Sequence, residues 1–128
     1  MRKLFLLCLF LAACNADETI SAFVDPSATY TLRELDGEPW TSSGNITFPE
    51  AGTAAGQAPC NRFTAQQSAP YPWLELGPIA TTRMLCPDME QEQRFLEALA
   101  SMSIAEVSGD ALILSNDAGR QMVFQAAP

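Results

Sequence analysis

The sequence predicts an α+β, β-rich domain: a small antiparallel sheet or open barrel with one main helix, at about residues 88–103, packed on it. Three observations lead there. Short runs alternating with period two recur along the chain, each closed by Gly, Pro or Asp-Gly punctuation. Residues 88–103 instead carry apolar side chains at helical spacing. Beyond them, further β-patterned runs follow one another at hairpin distance.

The elements follow in order. Thr29 to Leu35 alternates, with Tyr30, Leu32 and Glu34 on one side and Thr31, Arg33 and Leu35 on the other, and Asp36-Gly37 supplies a turn. Asn45 to Phe48 is a second short strand, stopped by Pro49 and the Gly-rich residues 51–56. Residues 54–65 carry a weak strand around Cys60, and Trp73-Leu74-Glu75-Leu76 a fourth, ended by Gly77-Pro78. At the helix start Asp88 is the N-cap, and Gln91 stands three residues later, the spacing of a capping box. Glu90 and Glu92 fall in the first turn, where the helix dipole favours negative charge. Met89, Phe95, Leu96, Leu99 and Met102 form one apolar stripe. Strands around 104–107 and 111–114 flank Gly109-Asp110, and the strand 121–125 places Met122 and Phe124 on a shared face.

The N-terminus reads as a targeting segment. Arg2 and Lys3 precede an apolar run of ten residues, Leu4 to Ala13, about half the length of a spanning helix. Leu11-Ala12-Ala13-Cys14 resembles the bacterial lipobox, which implies cleavage before Cys14 and acylation of that cysteine. Several acyl chains anchor stably where a single one binds only marginally. Ordinary secretion, whose small-residue rule Leu11 fits poorly, and retention of an uncut helix are the alternatives. Asn15 after the cysteine favours the outer membrane under the bacterial sorting rule. The expected organisation is a signal peptide over 1–13, a lipidated N-terminus and polar tether over 14–28, and a domain over 29–126.

After cleavage five arginines face fifteen acids, a formal charge of −10, with no lysine or histidine left. That surface argues against nucleic acid and against adhesion to anionic lipid. The lack of histidine removes the commonest general base and metal ligand. P-loop, G-x-S-x-G and dinucleotide glycine patterns are absent from the sequence. No catalytic residue, metal site or cofactor is expected. Cys60 and Cys86 are the remaining cysteine pair. They form either a disulfide, constraining the unfolded chain by roughly 3–4 kcal/mol, or two small packed hydrophobes.

Two motifs resemble the META, or HslJ-like, domain of bacterial lipoproteins: Cys60-Asn61-Arg62-Phe63 and Thr82-Arg83-Met84-Leu85-Cys86. The Trp73–Leu76 segment between them, Phe95-Leu96-Glu97-Ala98-Leu99, and Gly109 to Leu114 are also similar to family segments. The resemblance spans residues 29–125. Pro59 and Ala65 stand where the family has glycines, and Tyr30 where a tryptophan is common. The resemblance implies a compact β-rich domain with no established reaction, linked to heat shock, envelope stress and antibiotic susceptibility.

Asn61, Arg62, Phe63, Thr82, Arg83 and Met84 are the motif residues to locate. On the structural reading Asn61 satisfies turn backbone groups and the arginines pair with acids of this strongly negative protein, Arg83 with an acid or backbone carbonyls inside the domain. On the binding reading the two guanidiniums recognise carboxylates. Tyr71-Pro72-Trp73 is either a buried Trp at a strand start or an exposed docking patch. The expected function is a membrane-anchored, non-enzymatic envelope lipoprotein with an envelope protein as partner. A small domain inhibiting a periplasmic or exogenous hydrolase is the alternative, and a two-carboxylate hydrolase the remotest reading.

Overall fold

The computed structural model describes residues 16–127; the segment expected as a signal peptide and Cys14, the expected lipidation site, lie outside the described residues. The elements are β1 (Tyr30–Leu35), β2 (Glu38–Pro39), β3 (Asn45–Ile46), β4 (Thr53–Gln57), β5 (Arg62–Gln66), β6 (Ala80–Thr81), α1 (Met89–Ser101), β7 (Ile104–Ser108), β8 (Ala111–Ser115) and β9 (Gln121–Ala126). One antiparallel sheet runs β2-β1-β9-β8-β7, with β3 also on β1, and a second runs β4-β5-β6. A bridge between Thr47 and Ala55 joins them directly. The sheets stay open rather than closing into a barrel, so the α+β, β-rich architecture is the sheet form of the expectation.

Local chemistry explains most of these elements. Asp36 and Gly37 both take positive φ, 52° and 81°, which a two-residue hairpin requires. β1 departs from simple alternation. Its pairing with β9 slips between Leu32 and Glu34, so Arg33 is an extra, bulged residue. One inserted residue exchanges the two faces, and Leu35, expected opposite Tyr30 and Leu32, joins them in the core. The single strand expected around Cys60 is a hairpin instead. β4 and β5 pair across a turn in which Ala58 N donates to Asn61 O. Pro59, without an N–H, suits that reversal and not a central strand. Gly56 lies so close to Asn45 O and the Phe63 ring that a Cβ there would collide with both.

The segment expected as a strand at Trp73–Leu76 is a strap. Gly77 N donates to Gln66 O, Leu74 N to Ser103 O and Ala105 N to Pro72 O, so the strap ties β5 to the edge strand β7. Pro70, Pro72 and Pro78 deny it a continuous ladder. Neighbouring side chains on extended backbone face opposite ways. Leu74 is buried and Trp73 is therefore turned out, 57% exposed, which corrects the buried-Trp reading.

The residues expected as a free tether also pack. Ile20 and Val24 enter the core, Tyr71 N donates to Glu18 O, and the Phe23 ring stacks on Tyr71 at 4.3 Å. Two buried side chains and one stacked ring dock this run, so the packed body reaches back at least to Glu18. Phe48, Phe63, Phe95 and Phe124 are all essentially without solvent contact at the centre. Each contributes about 1.5–3 kcal/mol by burial. Phe95 comes from α1 and meets Phe63 of the second sheet, while α1 also touches β9 of the first.

Candidate functional site

Asn61 and Glu92 build the frame of the site. Asn61 sits at the end of the β4–β5 turn and is 3% exposed. Its Oδ1 accepts from Met84 N at 2.7 Å and Thr82 Oγ1 at 2.9 Å. Its Nδ2 donates to Met84 O at 3.1 Å and Glu92 Oε2 at 2.6 Å. All four hydrogen-bonding positions of the amide are therefore filled. The Glu92 side chain, also 3% exposed, takes in addition Cys60 N and Asn61 N on Oε1. Three N–H groups thus compensate a carboxylate that α1 carries into the interior.

The frame locks three segments together. The Cys60–Cys86 disulfide is formed, with Cα atoms 5.9 Å apart. Thr82 N donates to Arg62 O while Thr82 Oγ1 accepts from Arg62 N. Residues 82–86 consequently have a backbone held at Thr82, at Met84 on both N and O, and covalently at Cys86. Asn61, Thr82 and the cysteines, which the sequence singled out, come together here. Phe63 does not join them; it faces the core against Phe95 at 5.8 Å.

What this rigid loop displays differs from the structural reading. Arg62 and Arg83 are exposed, and among the described residues neither side chain makes an ion pair or hydrogen bond. Met84 is 56% and Leu85 91% exposed. The expected internal pairing of Arg83 is corrected: the segment's polar bonding is carried by its backbone and by Asn61, leaving the guanidinium nothing to satisfy inside. Two guanidiniums and two large apolar side chains thus stand in solvent on two segments that Thr82 and Arg62 hydrogen-bond together.

Glu92 was read as a helix-dipole acid, and its structural role was missed. A signal existed: 92, 95, 96 and 99 share one helical face, which places a carboxylate on the apolar stripe. The capping box does not form; Asp88 makes no side-chain cap bond and Gln91 Oε1 accepts from Arg94 instead. The helix carries two stripes rather than one. Phe95, Ala98, Leu99 and Met102 enter the core. Met89, Leu96 and Ala100 line a groove of about 1050 Å³ whose other wall is Leu76, Pro78 and Ile79. Elsewhere Arg94 lies over the Trp40 ring, 5.5 Å from its centroid. Arg120 hydrogen-bonds Asp36 at 2.9 Å and holds that carboxyl below its ordinary range.

Comparison with known proteins places this arrangement. The fold is similar to an NMR structure of a protein from Burkholderia xenovorans, at 20% identity, with 84% of this chain and 86% of that one covered and a TM-score of 0.67. It is also similar to a crystal structure of a DUF4847 family protein from Bacteroides vulgatus, at 15% identity, covering 81% and 95%, with a TM-score of 0.62. At these identities the likeness concerns the fold. No curated protein matches the chain. The META domain matches residues 24–128, taking in both cysteine motifs and the helix between the sheets. On that match, and with its two motifs clasped at one buried asparagine, the chain belongs to the META domain family.

Proposed function

We propose that this protein is a non-enzymatic cell-envelope lipoprotein, anchored by acyl chains on Cys14, whose domain binds an envelope protein through the loop Arg83-Met84-Leu85 with Arg62 beside it. The observation that carries the binding role is the pairing of a pinned backbone with exposed side chains. A large apolar residue left in water beside two unpaired guanidiniums does nothing for the fold. A loop already held at its partner-ready shape loses little further entropy on binding. The partner's chemistry follows: a shallow apolar pocket for Leu85 and Met84, flanked by carboxylates for the arginines. Family membership supports a small non-catalytic, envelope-associated domain. A stress-linked role and a place on the outer membrane, facing the periplasm, belong to the same proposal through the lipobox, Asn15 and the family resemblance.

Inhibition of a hydrolase is a second reading, and the same loop favours it. A disulfide-bounded segment with two exposed apolar side chains, Met84 and Leu85, is one that an enzyme cleft could accept. The two readings differ in what is captured.

A photo-crosslinking amino acid at Leu85, in intact envelopes, tests the proposal. A discrete adduct that vanishes with Arg62→Ala plus Arg83→Ala supports it, provided the variant melts like the parent and a probe at the exposed Ser108 gives no such adduct. Equal adducts from both probes, or one insensitive to the arginines, refute the loop as the contact. Anchoring is tested separately by fatty-acid labelling, where Cys14→Ser is expected to remove the label and an unchanged label would contradict that site.

A further inference from the structure

A groove lies beneath the strap, and its chemistry points to a ligand class. Its two walls are apolar: Leu76, Pro78 and Ile79 from the chain leading into β6, and Met89 and Leu96 from α1. Its polar rim is acidic. Glu90 and Glu97, seven residues apart on one face of the helix, both border it and are both exposed, and no Lys or Arg among the described residues lines it. Seven residues are about 10.5 Å along the helix axis, so the two carboxylates flank the groove lengthwise.

Among the described residues Glu90 and Glu97 make no ion pair, and Arg120, the guanidinium that feels Glu97, is committed to Asp36. Glu92 also borders the groove, but its oxygens are taken by Cys60 and Asn61. An apolar trough with unpaired acids along its edge attracts positive charge joined to an apolar body and repels the same body bearing a carboxylate. The volume, about 1050 Å³, is at the upper end of small-molecule sites, which run from about 300 to 1,000 Å³.

We propose that this groove binds cationic amphiphiles, small molecules with an alkyl chain or ring system and a protonated amine. The apolar body lies between Ile79 and Leu96, and the amine sits at the Glu90–Glu97 rim. The site uses none of the exposed residues of the 82–86 loop and stands or falls independently of the proposed partner.

The test is titration of the mature domain with decylammonium and with decanoate, below micelle formation, followed by amide chemical shifts. Saturable shifts confined to residues 76–81 and 89–100 are expected, with decylammonium about tenfold the tighter ligand, the scale two partly screened carboxylates provide. In Glu90→Gln plus Glu97→Gln the preference should shrink to about threefold or less. Leu96→Ala should weaken both ligands while leaving the spectrum otherwise that of the folded parent. Equal affinity for the two ligands, shifts centred elsewhere, or no saturation overturns the proposal. So does binding of a lysine-rich amphipathic peptide without decylammonium, which would make the groove a peptide site.

Discussion

Glu92 shows how a single side chain can fix the order of three segments. It accepts from Cys60 N, Asn61 N and Asn61 Nδ2, so α1, the β4–β5 turn and, through Asn61, the 82–86 loop share one junction. Glu92→Gln is nearly isosteric but turns one acceptor into a donor that faces N–H groups. An unsatisfied buried polar group costs about 1–3 kcal/mol, so denaturant unfolding should show a loss of that order. A loss under a few tenths would mean the junction is dispensable. Asn61 was legible because the motif named it; Glu92 was legible only by its helical phase, since an acid in a first turn already has a sufficient explanation in the dipole. Arg83 was not legible at all. Sequence records that an arginine is there, but exposure depends on whether neighbouring backbone groups need it, and here Asn61 had already satisfied them.

At the scale of elements, the Asp36-Gly37 hairpin and the approach to β9 are fastened together by Arg120. The Asp36 carboxyl is held below its ordinary value first by the hydrogen bond from Arg120 and also by Gln121 N. A depressed carboxyl stabilises the fold above its unfolded pKa and loses that contribution as pH falls through its folded pKa. Arg120→Ala should therefore cost under about 1 kcal/mol near neutrality, as exposed pairs do. The difference from the parent should fade in acid once Asp36 protonates; a difference independent of pH would assign the effect to packing. The cysteine pair acts on a larger loop. Cys60→Ser plus Cys86→Ser should lower stability by roughly 3 kcal/mol, and reductant should reproduce the shift in the parent but not in the variant. The turns of the β1–β2 and β7–β8 hairpins were readable, because Asp-Gly and Gly-Asp fix them locally, whereas the β4–β5 hairpin was not. The strap and the β1 bulge were not, because Trp73–Leu76 alternates like a strand. Its prolines decide the matter only once β7 is known to be an edge, and a bulge leaves no mark in a six-residue pattern.

Across the whole molecule the residues of the site divide into a buried frame and a displayed surface. Asn61, Glu92 and the disulfide hold the shape, while Arg62, Arg83, Met84 and Leu85 stand outside it. The fold class was readable from alternation, one helix and turn signals; the groove was not, because its walls come from segments brought together only when α1 packs beneath the strap. That division is the account's central claim, and thermal melting of Asn61→Ala beside Arg83→Ala tests it most directly. Truncating Asn61 removes four hydrogen bonds and leaves Met84 N and Glu92 underbonded, so the Tm should fall by at least several degrees, the scale of ~1–3 kcal/mol in a domain this size. Arg83→Ala touches no partner inside the domain and should melt with the parent. A Tm lowered by Arg83→Ala as much as by Asn61→Ala would contradict the division and return Arg83 to the frame.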